Sequence, residues 1–189
     1  MYSFALESPI GLLFISVTGN GVRRIDVLSS EHGIDGTPRL SGERLSAQGS
    51  STDAEADIAE RVETQLIEYF EGSRRDFDLP LDVDVGSEFQ RRVWQAISDI
   101  PYGAVASYAE VALAAGAPRA FRAAGSACGS NPIAIVTPCH RVVASGSKLG
   151  GYGVGRSNKV WLLKLEGIEC AGTHYDSRVR QPQLAFGGR

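Results

Sequence analysis

Residues 87–129 read SEFQRRVWQAISDIPYGAVASYAEVALAAGAPRAFRAAGSACG, and this stretch decides the architecture of the second half of the chain. Ser87-Glu88-Phe89-Gln90 has the spacing of a capping box, in which a hydroxyl and an amide satisfy the open N–H groups at a helix start. The helix it opens carries Phe89, Val93, Ala96 and Ile97 inward and stops at Ile100-Pro101-Tyr102-Gly103. A second box, Ser107-Tyr108-Ala109-Glu110, opens a short helix ending at Gly116, and Pro118 stands in the first turn of another helix, from Arg119 to about Gly129. Two short helices joined by a glycine turn predict a helix-turn-helix. The second of them is rich in Ala, Gly and Ser, so its backbone can approach a neighbour closely, whether that neighbour is another helix or a ligand.

Upstream, the pattern changes from helical to extended. Tyr2–Leu6, Leu12–Val17 and Val22–Val27 are apolar, β-branched runs separated by turn-forming Ser8-Pro9-Ile10-Gly11 and Thr18-Gly19-Asn20-Gly21, which predicts an antiparallel meander. Ile58, Val62, Leu66, Tyr69 and Phe70 share one face of a helix over Ala54–Glu71 that covers the sheet, and Gly72 ends it. Between them, Ser29–Asp53 is polar and without period, and reads as a long mobile loop. Asp76–Gly86 reads as a connector. The expected class is therefore α+β: residues 1–84 form a small antiparallel sheet with a covering helix, and residues 85–168 a mostly helical domain containing the helix-turn-helix. A last helix spans Lys159–Glu166, and residues 169–189 form a loose tail.

Composition narrows the function. The three cysteines, Cys128, Cys139 and Cys170, are too few and too irregularly spaced for a disulfide framework, and no CxxC pair or histidine cluster suggests a metal, so no metal site is expected. Free thiols and the lack of a leader-like or membrane-length apolar run point to a cytoplasmic protein with no membrane partner. The formal charge of -3 hides an asymmetry, because Glu88–Glu166 holds nine basic against four acidic residues, a local +5. A basic segment on an acidic chain suits a phosphate-facing module, and equally a solvated charged surface.

The reactive chemistry is concentrated in Pro138-Cys139-His140-Arg141-Val142-Val143, where a thiol, an imidazole and a guanidinium are consecutive. The thiolate is the nucleophilic form of cysteine, and neighbouring cationic groups favour it by lowering the thiol pKa. On an extended strand adjacent side chains diverge, so Cys139 and His140 can cooperate only across a turn or through a bridging water. The imidazole also needs an orienting partner, and the helix ending at Glu166 offers a carboxylate.

From Phe89 to Glu166 the chain resembles the catalytic domain of the O6-alkylguanine-DNA alkyltransferases, also called methylated-DNA-protein-cysteine methyltransferases. The resemblance is carried by FQRRVWQAISDIPYGAVASYAEVA, GAPRAFRAAGSACGSNPIAIVTPCHRVV and GGYGVG followed by KVWLLKLEG, with Asn131-Pro132 and Ser107-Tyr108 at the family's spacing. The first domain, with SPIGLL, is similar to the family's less distinctive N-terminal domain. The resemblance implies a single-use repair protein that takes an alkyl group, methyl or larger, from O6-alkylguanine, with O4-alkylthymine as an alternative substrate. It implies Cys139 as acceptor, His140 as base through a water, Glu166 polarising His140, and Asn131 bracing the turn. Tyr108 would act on the guanine or its flanking phosphate, and Arg122 would fill the gap left by a flipped nucleotide. Ala123, Gly125 and Cys128 would face the nucleoside. Val142, Tyr152 and the loop Gly150–Gly155, with Gly153 and Val154, would line the pocket. The implied partner is double-stranded DNA bound through its minor groove by a monomer, and no cofactor is needed because the lesion supplies the alkyl group.

Several residues depart from the family pattern. Gly153 stands where many members have serine, Val154 where glycine is common, Phe121 where a smaller residue precedes the arginine, and Cys128 where other side chains meet the nucleoside. Three rival readings remain: a lesion binder without alkyl transfer, which would lack the acceptor cysteine; a sequence-specific helix-turn-helix regulator; and a cysteine hydrolase.

Overall fold

The computed structural model describes residues 1–28, 44–48, 51–179 and 184. The chain is α+β and divides into two units: Met1–Asp84 with Pro132–Ala134, and Val85–Asn131 with Ile135–Arg189.

In the first unit, β1 (Tyr2–Ser8), β2 (Gly11–Thr18) and β3 (Gly21–Leu28) form an antiparallel meander, with β4 (Arg44–Gln48) added on the free edge of β1, in the order β3-β2-β1-β4. Alternation puts Phe4 and Leu6, Leu13 and Ile15, and Ile25 on one buried face, and the register pairs Phe4 with Ile15, Leu6 with Leu13 and Ile15 with Ile25. Helix α1 (Asp53–Phe70) packs on that sheet and buries Ile58, Ala59, Val62, Leu66, Tyr69 and Phe70. Each large apolar side chain so enclosed contributes roughly 1.5–3 kcal/mol. A capping box of Thr52 and Glu55 starts the helix. After it the connector forms a parallel bridge to the sheet, with the Val22 N–H donating to Pro80 O at 2.8 Å.

β4 corrects the expectation of one unbroken loop from residue 29 to 53. Its sequence RLSAQ carries little apolar signal, and what recruits it is the row of open backbone groups along β1, which no local pattern reveals. The remaining residues of that expected loop, 29–43 and 49–50, lie outside the described residues.

The second unit opens with α2 (Glu88–Ser98), capped by Ser87 and Gln90, which buries Val93, Trp94, Ala96 and Ile97. Strand β5 (Ala106–Ser107) leads into α3 (Tyr108–Ala114), capped by Ser107 and Glu110, and α4 (Phe121–Gly129) follows. The expected start of α4 at Arg119 is corrected: Pro118 and Arg119 occupy a turn closed by Ala120 N–H donating to Ala117 O at 2.8 Å, and Ala120 is the N-cap. Proline fits the second position of such a turn as readily as a first helical position, which is why the sequence misplaces the boundary. The Trp94 indole N–H donates to Ala127 O at 2.8 Å and ties α2 to α4.

The chain then passes through a 3-10 turn at Cys139–Arg141 into β6 (Val142–Val143), which runs parallel to β5, and on to α5 (Arg156–Leu165). The expected loose tail is corrected over its first part; residues 180–183 and 185–189 of it lie outside the described residues. β7 (Cys170–Ala171) and β8 (His174–Tyr175) make a hairpin, with Ile168 and Tyr175 buried in a core shared with Val105, Val143, Leu149 and Leu163. Gly172 turns that hairpin at φ 59, a conformation other residues rarely adopt. Two-residue strands are too short to show a period. No helix of the described residues is long and apolar enough to cross a membrane.

Candidate active site

The segment before the 3-10 turn is unusual: Ile135, a fully buried β-branched residue, sits at φ 73. That conformation costs roughly 1–2 kcal/mol in an L residue and marks a chain path imposed by its surroundings. The path ends in the turn that the divergence of neighbouring side chains demands, with Cys139 N–H donating to Thr137 O at 2.8 Å and Arg141 N–H to Pro138 O at 2.9 Å.

Cys139 is 9% exposed, and Asn131 lies against it. The Asn131 amide donates to Thr137 O at 2.8 Å and to Cys139 Sγ at 3.1 Å, so one side chain fixes both the turn and the sulfur. Burial pushes the Cys139 thiol up, against the opposing pull of the Asn131 hydrogen bond and the Lys159 charge. The sequence had suggested a lowered thiol pKa. The structure reverses that direction, because loss of hydration at a buried sulfur outweighs the nearby donors.

His140 is fully enclosed, and its Nε2 lies 2.9 Å from Glu166 Oε1. Burial pushes the imidazole pKa down, opposed by Glu166. For the carboxylate, burial acts to raise the pKa, and His140 and Arg141 more than offset it, holding Glu166 at about 2. Arg141 supplies the part that persists when the imidazole is neutral, because its guanidinium is charged throughout. It grips Glu166 with Nε at 3.1 and 3.0 Å and Nη2 at 2.9 Å, while Nη1 donates to Ile100 O at 2.6 Å. An ionised carboxylate only accepts, so His140 carries its proton on Nε2 and keeps the Nδ1 lone pair as its basic site. The Gly103 N–H completes the carboxylate's shell at 3.2 Å, and the Tyr102 hydroxyl donates to Leu165 O at 2.7 Å, holding the end of α5.

Two charged residues at this site went unassigned in the sequence. The sequence motif names Arg141 without giving it a role, and Lys159 marks the start of a helix. Lys159 is fully enclosed, with Nζ donating to Val142 O at 2.5 Å and Gly151 O at 3.2 Å, which joins β6 to the loop Gly150–Gly155. Burial brings its pKa down to about 8, with the neighbouring thiols opposing. The signal was present in the phase of the helix: Lys159, Leu162, Leu163 and Glu166 recur on one face, so a lysine and a glutamate occupy core positions.

The loop Gly150–Gly155 meets α3 and α4. Gly150, at φ 71, leaves room for the Tyr108 ring, since a Cβ there would come within 3.2 Å of it, and a Cβ at Gly125 would lie 3.8 Å from the same ring. The Tyr108 hydroxyl faces Gly151 O at 3.4 Å. Tyr152 meets the His140 ring edge-on at 6.4 Å, and its buried hydroxyl has no hydrogen-bond partner among the described residues. Cys128 is half-buried, and burial pushes its thiol up to about 12. Val142 is fully enclosed and enters the site as wall and carbonyl. Val154 accepts from Asn158 at 2.9 Å, and Gly153 is open, the nearest atom to a Cβ there being Gly129 O at 4.0 Å. Arg122 and Ala123 stand apart from this cluster on the exposed side of α4.

Residues 1–83 match the family 6-O-methylguanine DNA methyltransferase, ribonuclease-like domain, and residues 88–168 match 6-O-methylguanine DNA methyltransferase, DNA binding domain. The chain belongs to the 6-O-methylguanine DNA methyltransferase family. Among curated relatives, the methylated-DNA--protein-cysteine methyltransferase of Mycolicibacterium paratuberculosis is 46% identical over 85% of this chain and 89% of its own length. The methylated-DNA--protein-cysteine methyltransferase of Methanosarcina barkeri is 39% identical over 88% of this chain and 97% of its own. The crystal structure of Mycobacterium tuberculosis OGT in complex with DNA superposes with a TM-score of 0.69 at 39% identity, covering 86% of this chain and 90% of that one. For a member of the 6-O-methylguanine DNA methyltransferase family, the Cys139–Asn131 and His140–Glu166–Arg141 clusters both fall within the segment matched as its DNA binding domain.

Proposed function

We propose that this chain repairs DNA by moving the alkyl group of O6-alkylguanine onto Cys139 Sγ, once per molecule. The observation that carries the reading is a buried thiol held by Asn131 at 3.1 Å on a turn whose next residue is a neutral imidazole backed by an ionised Glu166. At rest the raised thiol and lowered imidazole pKa values keep both groups uncharged, which protects the sulfur from adventitious chemistry. When the lesion fills the pocket, the thiol proton passes through a water to His140 Nδ1, and Glu166 stabilises the imidazolium that forms. The thiolate attacks the alkyl carbon, the C–O6 bond breaks with its electron pair going to guanine, and guanine gains a proton at N1 that balances the one lost by sulfur. Lys159 steadies the thiolate by charge and the pocket loop by hydrogen bonds. The product is a thioether with no carbonyl for water to attack, so the protein is consumed.

A guanine O6 inside a duplex lies out of reach of a buried sulfur, so the nucleotide is extruded. Helices α3 and α4 act as a helix-turn-helix laid in the minor groove. Arg122 fills the vacated space, Tyr108 acts on the guanine or its phosphate, and Ala123, Gly125, Cys128, Tyr152, Gly153 and Val154 surround the nucleoside. The local +5 charge supports phosphate contact without sequence reading. Its three free thiols suit action as a monomer in the reducing cytoplasm.

Intact and peptide mass spectrometry after exposure to a duplex bearing O6-methylguanine tests the reading. One methyl group is expected on the Cys139 peptide and none in Cys139→Ser, which still binds the duplex. Equal methylation of Cys128 or Cys170, or repeated turnover by one molecule, overturns it.

A further inference from the structure

Phe121 is the first residue of α4 and is 49% exposed, although it is large and aromatic. Single apolar residues on a surface are common. This one differs in its surroundings: the Arg122 guanidinium lies over its ring at 5.8 Å, so the two side chains project together, and exposed Arg119 stands two residues before it. Residues 121, 125 and 128 fall on one edge of the helix, the edge on which a Cβ at Gly125 would lie 3.8 Å from the Tyr108 ring and on which Cys128 is half-buried. Seven residues of helix place Phe121 about 10 Å along that edge from Cys128.

We infer that Phe121 is an apolar wedge for duplex DNA, entering the base step opened by nucleotide extrusion beside Arg122 and stacking on the flanking base. The inference rests on the repair reading above and adds to it a residue that acts on the DNA rather than on the alkyl group. A duplex fits as the occupant because the patch joins a π-face to two cations, and because an unstacked step presents an apolar base face next to phosphates. The guanidinium that stacks on the ring in the free protein is also held ready for insertion, which lowers the ordering cost on binding.

The test compares Cys139 alkylation by an O6-methylguanine duplex with alkylation by free O6-benzylguanine, which requires no opening of a duplex, for the wild type, Phe121→Ala and Phe121→Trp. The ratio of duplex to free-base rates, with subsaturating duplex, is expected to fall about tenfold in Phe121→Ala and to be restored in Phe121→Trp. A ratio for Phe121→Ala within twofold of wild type overturns the wedge and leaves the repair reading standing. Failure of the wild type to become alkylated from either substrate overturns the repair reading itself.

Discussion

Glu166→Gln removes one charge from a buried cluster without changing its volume, and its cost follows from the geometry by two routes. The first is structural. Arg141 and His140 together aim four contacts at the two carboxylate oxygens, and an amide offers one acceptor and one donor in their place. Arg141 is 5% exposed, so the variant leaves a buried guanidinium without its counter-charge, a loss of about 3–5 kcal/mol. The second is proton linkage. A carboxyl held at about 2 instead of the ordinary 4.5 contributes about 3 kcal/mol at neutral pH. Because the folded-state pKa is depressed, that contribution is complete above the unfolded value and is lost as pH falls toward 2. The gap between wild type and variant should therefore be about 3 kcal/mol at pH 6.5, seen as a urea midpoint lower by about 1–2 M, and should shrink to less than half of that by pH 3. Alkyl transfer should slow about tenfold or more, because nothing stabilises the imidazolium. A gap below about 1 kcal/mol at pH 6.5, or one that does not change down to pH 3, would refute the reasoning that Glu166 is the ionised centre of this cluster.

Lys159→Met keeps the length of the stem and removes the ammonium, so Cys139 should react more slowly with iodoacetamide at pH 8 and its apparent pKa should rise. Since the Lys159 pKa is depressed to about 8, the wild type should gain stability relative to this variant between pH 8 and 10.5, where only the unfolded chain still holds the proton; equal pH profiles would contradict the assignment. Tyr152→Phe deletes a buried hydroxyl that has no partner among the described residues, and should leave stability unchanged or raise it by about 1 kcal/mol in thermal or urea denaturation. A loss of more than 1 kcal/mol would mean that the hydroxyl makes a hydrogen bond in solution.

What could be read from the sequence was local. The boxes at Ser87–Gln90 and Ser107–Glu110 place the starts of α2 and α3 because a cap is complete within four residues, and alternation in Leu13, Ile15 and Val17 marks a half-buried strand in the same way. The motif around Cys139 named the reactive groups for the same reason. What escaped depends on partners distant in sequence: β4 is a strand because β1 has a free edge, and the hairpin after Ile168 forms because Tyr175 finds Val143 and Leu149. The direction of the Cys139 thiol belongs with these. Neighbours in sequence suggested activation, but burial is a property of the fold and decides the sign.

The same distinction explains why α5 matters beyond its length. One face of this helix carries Lys159 at its first turn and Leu162 and Leu163 in the middle, and Glu166 caps its end. Packing the two leucines therefore sets the height and rotation of both charged groups at once. At one end the ammonium fastens the pocket loop to β6, and at the other the carboxylate fixes the tautomer of His140. A charged group in a core position destabilises the protein unless its partners are already in place, and here the partners are the acceptors and donors of the site itself. Folding of this unit and assembly of its chemistry are thus one event: a chain that has not docked α5 has neither an oriented imidazole nor a fastened loop at Gly150–Gly155, and one that has docked it can satisfy Lys159 and Glu166 only by forming both.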